Sequence, residues 1–133
     1  VLEAMRLAKQ DMGHENIRRA VQWLKFVQRA DGGWGETNDS YLDSNLAGQF
    51  DETSTAFQTA WALLGLMAAG EVNSESVRKG IHYLLHNQSR DHLWEDPWFT
   101  APGFPRVFYL RYHGYSKFFP LWALARYRVL TRV

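Results

Sequence analysis

An all-α fold of stacked helical hairpins is what this sequence predicts, and three observations predict it. The chain repeats itself at an interval of 60 residues, and its apolar positions recur at helical spacing between capping residues. No segment sustains the period-two alternation of a strand, so strands are not expected.

The repeat sets the architecture. Arg19-Ala20, Leu24, Gln28 and Trp34 return as Lys79-Gly80, Leu84, Gln88 and Trp94, each pair 60 apart. Phe57-Gln58-Thr59-Ala60-Trp61-Ala62-Leu63 has a looser echo in Phe119-Pro120-Leu121-Trp122-Ala123-Leu124, with Trp61 and Trp122 standing 61 apart. Each unit therefore reads as a helix, a short turn, a second helix ending in Gln, and a loop that carries a Trp. One such hairpin cannot cover its own apolar face, so neighbours must stack. About two and a half units are present, fewer than a closed ring of hairpins needs. With Val1 already inside a helical pattern, residues 1–133 read as one part of a larger helical domain, with no second domain present.

Capping chemistry places the elements. Val1 to Met12 reads as a helix closed by Gly13, and Asn16 caps the next, which runs to about Arg29. Ala30-Asp31-Gly32-Gly33 breaks that helix, and a polar loop extends to about Glu52. Thr53 or Ser54 caps a third helix running to Ala69, with Gly70 as its stop; Ala56, Ala60, Gly65 and Ala68 would let it pack closely. Ser74 caps a fourth, to about Gln88, with Glu75 in its first turn.

Phe104, Phe108, Tyr112 and Tyr115 stand at i, i+4, i+8 and i+11. At ~100° per residue they fall at ~0°, 40°, 80° and 20°, one face of a helix that would start near Pro105. Gly114 and Pro120 argue against extending that helix past Tyr112. From the pattern alone, such a stripe reads as core.

Composition narrows the function classes. The 133 residues suffice for one domain with a modest core. Six Trp, six Tyr and eight Phe make 15% of the chain, and such rings suit both packing and the stabilisation of cations. There is no Cys, which excludes disulfide and thiol chemistry, and a net charge of +1 does not suggest nucleic acid. The charges are segregated. Asp31 to Glu75 holds eight acidic residues and no Lys or Arg; Arg106, Arg111, Lys117, Arg126, Arg128 and Arg132 follow Asp96 with no acid among them. An acidic loop beside a basic terminal helix explains this, with attraction to anionic lipid as the alternative. No signal peptide and no run of ~18 apolar residues is seen.

The arrangement Arg19-Ala20-x3-Leu24-x3-Gln28-x3-Gly32-x-Trp34 resembles the QW repeat of triterpene cyclases. Its second copy has His92 in place of glycine, which predicts a different turn before Leu93-Trp94. Asp31-Gly32-Gly33-Trp34-Gly35-Glu36, Gln58 to Leu63, and Gly103 to Tyr112 with Tyr115 and Phe119-Pro120 are all similar to squalene–hopene cyclases, in that family's order. The resemblance implies the C-terminal part of an (α/α)6 toroid with QW repeats in its loops. It also implies a parent enzyme of hopanoid biosynthesis that cyclises squalene to hopene and hopanol by protonation and a carbocation cascade.

By the same resemblance, Gln28, Trp34, Gln88 and Trp94 are structural, each Gln bonding the start of a neighbouring helix while its Trp stacks there. Phe104 and Phe108 would stabilise cations, Tyr112 and Tyr115 would line the cavity, and Leu110 would shape it. A cation cavity needs aromatic faces and few carboxylates, because a carboxylate would capture or deprotonate the cation. Arg111 is therefore expected to turn away or to be paired.

The family's initiating acid lies in an Asp-x-Asp-Asp motif that these residues lack, so no catalytic residue is assigned and the isolated chain is expected to be inactive. No cofactor is implied. A monotopic place on a bacterial cytoplasmic membrane is implied, and a homodimer is allowed. Two further readings stand beside this one: another class II cyclase acting on oxidosqualene or a polyprenyl chain, and a non-catalytic toroid that offers an apolar groove.

Other candidates carry less. Trp61 reads as inner-helix packing and Tyr41 as loop, each with cavity lining as the alternative; Asp51-Glu52 reads as acids favoured at a helix start. His82, His86 and His92 lack a Cys or carboxylate to complete a zinc-like set, so no metal is expected. No phosphate-binding glycine loop and no Ser/His/Asp order appears.

Overall fold

The computed structural model describes residues 1–48, 54–100, 102–104 and 107–132. Among them run α1 (Leu2–Leu7), α2 (Glu15–Phe26), α3 (Ala56–Ala68), α4 (Glu75–His86) and α5 (Tyr115–Leu130). Two short 3-10 turns, Asn38–Tyr41 and Ser44–Leu46, sit in the polar loop before α3. The fold is mostly helical, as expected of a toroid segment.

Helix α3 is the centre. Its sequence has no charged residue, and of its 13 residues only Trp61 and Gly65 escape full burial. It packs most extensively against α5 and also touches α1, α2 and α4. The outer helices are amphipathic. Helix α2 buries Ile17 and Val21 and exposes Arg18, Arg19 and Gln22; α4 buries Val77, Ile81 and Leu84 and exposes Arg78 and Lys79. Leu63, Leu66 and Leu84 are wholly enclosed where these helices meet, so truncating any of them to Ala costs about 2–5 kcal/mol.

The helix ends show which capping signals held. Ser74 Oγ accepts the Val77 N–H at 3.3 Å, and Gly70 closes α3 with φ 85°. The α3 cap is Thr55, whose side chain accepts from the Gln58 N–H, and not Ser54. The α2 cap is His14: its Nδ1 accepts the Asn16 N–H at 3.2 Å, so Asn16 is already helical. Helix α1 stops at Leu7 rather than Met12. Lys9 turns to φ 55°, with its N–H on Arg6 O and the Gln10 N–H on Met5 O. Gly70 ends α3 with the same two bonds, to Met67 O and from Glu71 to Leu66 O, so Lys9 fills a left-handed site that glycine fills one repeat later. Asp51, Glu52, Thr53, Pro105 and Arg106 lie outside the described residues.

Two further expectations failed, the helix over Phe104 to Tyr112 and the absence of strands. Two strands stand there, β1 (Pro102–Phe104) and β2 (Phe108–Tyr109), paired antiparallel with Pro102 opposite Tyr109 and Phe104 opposite Phe108. The physical reasons are local. Phe104 precedes a proline, which disfavours α geometry, and Val107-Phe108-Tyr109 favours a pleated surface. Across the hairpin the Phe108 ring lies directly on Gly103, where any Cβ would collide with it. Helix then resumes at Tyr115, and buried Pro120 is carried inside α5.

Candidate functional site

The repeat loops hold the helices that carry the rings. Trp34 Nε1 donates to Leu24 O at 2.7 Å and Trp94 Nε1 to Leu84 O at 2.8 Å, the same bond ten residues back in each unit. Trp34 lies against α4 at Gly80, where an added Cβ would sit 2.8 Å from its Cζ3. Gln28 Nε2 donates to Gly32 O at 2.8 Å and to Ser76 O, in the first turn of α4, at 2.9 Å. Gln88 Nε2 reaches only His92 O, at 3.4 Å, among the described residues. The turn before Leu93 does not differ from the first copy. His92 adopts φ 61° where Gly32 has 88°, so the glycine site is kept without glycine.

The start of α3 is clamped between both loops. Trp34 pairs with Thr55, its N–H donating to Thr59 Oγ1 at 2.9 Å and its carbonyl accepting the Thr55 N–H at 3.0 Å. Gln58 Nε2 donates to Glu36 O at 3.0 Å, while its Oε1 accepts the Glu36 N–H at 3.1 Å and the Thr55 hydroxyl at 2.7 Å. From the second loop, buried Asp96 accepts the Ala56 N–H on Oδ1 at 2.7 Å and the Phe57 N–H on Oδ2 at 3.2 Å. Burial pushes the Asp96 carboxyl above its ordinary value, while those two N–H groups and the Arg111 guanidinium pull it down. Tyr83 completes the junction by donating to Ser54 O at 2.6 Å, and burial raises its phenol far above the usual range.

On this clamp stands an aromatic cluster. Phe57 and Trp61, one turn apart on α3, meet edge to face at 5.0 Å. Tyr115 and Phe119, one turn apart on α5, do so at 5.2 Å, and Trp61 reaches them at 5.6 and 5.3 Å. Tyr112 stacks on Tyr115 at 4.9 Å. Trp61, Tyr112 and Tyr115 then line a cavity of about 530 Å³ with Trp23, Val27, Trp34 and Tyr41. Glu36 is the one acidic residue in that lining among the described residues, and its Oε2 is engaged by the Gly48 N–H at 2.9 Å. A second cavity of about 250 Å³ shares Tyr112, Tyr115 and Thr100 and is lined also by Phe57, Asp96 and Arg111.

The five cavity positions expected from the sequence are thus not one helical stripe. Tyr112 and Tyr115 come together at the larger cavity. Phe104 and Phe108 form an edge-to-face pair at 5.5 Å on the hairpin, both open to solvent, and Leu110 is exposed just beyond β2. Arg111 is paired, with Nη2 donating to Asp96 O at 2.6 Å and its guanidinium 5.9 Å from the Phe99 ring centre. From the sequence Trp61 reads as packing and Tyr41 as loop, each with cavity lining as the alternative. Trp61 is the hub of the cluster, and Tyr41 lines the cavity, its ring 6.1 Å from Tyr109 and its hydroxyl 3.4 Å from Thr100 Oγ1. The usable signal was the four-residue aromatic spacing on two neighbouring helices, Phe57/Trp61 and Tyr115/Phe119. His82 and His86 stack at 3.7 Å on α4, and no group of three metal-binding side chains forms among the described residues.

Mostly helical hairpins tied by tryptophan loops, with aromatic rings gathered at the end of an inner helix, define a domain of stacked helical hairpins. The family model for the squalene-hopene cyclase C-terminal domain matches residues 1–129, and the chain belongs to that family. It is 57% identical over 129 residues to a squalene–hopene cyclase of Zymomonas mobilis, covering 97% of this chain and 20% of that protein. It is 56% identical over 131 residues to a squalene–hopene cyclase of Bradyrhizobium diazoefficiens, covering 98% and 20%. A dammaradiene synthase of Dryopteris crassirhizoma is 47% identical over 140 aligned positions, covering 96% and 20%. The chain spans about a fifth of the length of the curated relatives it matches.

Proposed function

We propose that this chain forms part of the aromatic wall in a squalene–hopene cyclase, which folds squalene and cyclises it to hopene and hopanol through a chain of carbocations. The observation that carries this reading is the stacked Tyr112–Tyr115 pair beside Trp61, on a cavity where Glu36, the only lining acid among the described residues, is already hydrogen-bonded. The 56–58% identity to proteins named squalene–hopene cyclases supports the same substrate and product.

In this account an Asp-x-Asp-Asp motif elsewhere in the polypeptide protonates a terminal double bond, and positive charge then moves along the folded polyene. Aromatic faces attract that charge without accepting a proton or forming a bond, so the cascade runs on. Phe104 and Phe108 serve the later cations, Tyr112 and Tyr115 order the substrate, and Leu110 shapes the wall. Gln28, Trp34, Gln88 and Trp94 brace the helices. Because squalene is a lipid, the enzyme works at a membrane surface; no helix among the described residues is long and apolar enough to cross one.

The test is product analysis of the longer enzyme, motif intact, with squalene. Hopene and hopanol are expected, and the 133-residue chain alone yields neither. A second reading is favoured by the 47% identity to a dammaradiene synthase. Release of a tetracyclic product as the main component would establish it and overturn the first.

A further inference from the structure

We infer that Asp96 is a positioning residue for the cavity rings, coupling the start of α3 to the segment that carries Tyr112 and Tyr115. This rests on the cyclase reading above and goes beyond it, because the Asp96 side chain bonds backbone N–H groups of α3 rather than a ring.

Three contacts carry the inference. The Asp96 carboxylate accepts two successive N–H groups, one on each oxygen, at the first turn of α3. One of the two belongs to Phe57, whose ring meets Trp61 at 5.0 Å and Tyr115 at 6.3 Å. The Asp96 backbone carbonyl accepts Arg111 Nη2 at 2.6 Å, and Arg111 immediately precedes Tyr112. A single residue therefore fixes the helix that presents Phe57 and Trp61 and the strand-to-helix link that presents Tyr112 and Tyr115. The N-terminal dipole of α3 and two direct N–H donors suit an acceptor-only group there. Asparagine has the same shape but offers one oxygen, and its NH2 would face the other N–H. The second repeat also differs from the first at this point. Glu36, 60 residues earlier, engages Gly48 and Gln58 instead, so the bridge belongs to the unit beside the rings.

Misplacing Tyr112 and Tyr115 loosens the order they impose on the folded substrate, which favours early proton loss over further ring closure. In the full enzyme, Asp96→Asn is therefore expected to raise the ratio of incompletely cyclised to pentacyclic products about five- to tenfold, with squalene still consumed. Tyr83→Phe is the control. It removes another buried bond at the same junction, to Ser54, and is expected to lower the melting temperature while leaving the product ratio unchanged. Phe108→Ala reports on the cavity reading itself. If Phe108→Ala changes the ratio and Asp96→Asn changes only the melting temperature, the coupling is overturned and the cavity reading stands. If neither variant changes the ratio, both fall. Should Asp96→Asn not fold, Arg111→Gln decides, since it removes the donor to Asp96 O and leaves the α3 cap in place; an unchanged ratio there overturns the inference.

Discussion

His92 holds at φ 61° the left-handed backbone position that Gly32 holds at φ 88° one repeat earlier. The bonds around the two residues match. Gly32 N–H meets Arg29 O at 3.0 Å and His92 N–H meets Ser89 O at 2.9 Å, while Arg29 and Ser89 donate back to Gly33 O and Leu93 O. A side chain in that conformation costs about 1 kcal/mol, so His92→Gly should stabilise the protein by up to about that amount in urea unfolding. Gly32→Ala should lose more than His92→Gly gains, because its Cβ would also sit 2.7 Å from Lys79 O.

Gly80 is the seat for the Trp34 ring. Helix propensity alone says that Ala at this α4 position gains up to about 1 kcal/mol. A Cβ there would lie 2.8 Å from both Trp34 Cζ3 and Leu63 Cδ2, so overpacking of about 1–3 kcal/mol wins and Gly80→Ala should be net destabilising. A raised urea midpoint for this variant would contradict the packing argument.

The two repeat glutamines should differ. Gln28→Ala leaves the Gly32 and Ser76 carbonyls without their donor, at about 1–2 kcal/mol, and frees α2 from α4. Among the described residues Gln88 makes one long bond, within its own loop, so Gln88→Ala should fall within about 0.5 kcal/mol of wild type. Equal losses at both positions would show that the second copy is braced in a way the His92 contact does not reveal.

Phe108 should govern how far the cascade runs. A desolvated cation–ring contact is worth about 2 kcal/mol, or about 30-fold in the partition between ring closure and early proton loss. Phe108→Ala should keep squalene consumption and shift products by that order toward incompletely cyclised species, read by gas chromatography. Gly103→Ala should give a weaker shift of the same kind, because its Cβ displaces the Phe108 ring without removing it.

The repeat, the helical class and the ends set by Ser74 and Gly70 were legible because each rests on local chemistry with one common solution. The end of α1 was not, since Lys9 adopts a backbone state that its side chain does not announce. The hairpin was hidden by a four-residue aromatic spacing that fits a helix; the contrary signals were the proline after Phe104 and the glycine beneath the Phe108 ring. Tyr112 and Tyr115 could be named from resemblance. That they share a cavity with Trp61 and Tyr41 depends on α3, α5 and the polar loop meeting in space, which no local spacing encodes.

The central claim is that the C-terminal rings look into the substrate hollow. A crystal structure of the longer enzyme bound to an uncyclisable squalene analogue tests it most directly. Analogue carbons are expected within about 6 Å of the Phe108, Tyr112 and Tyr115 ring centres. An analogue bound elsewhere, with those rings packed against protein, would contradict it.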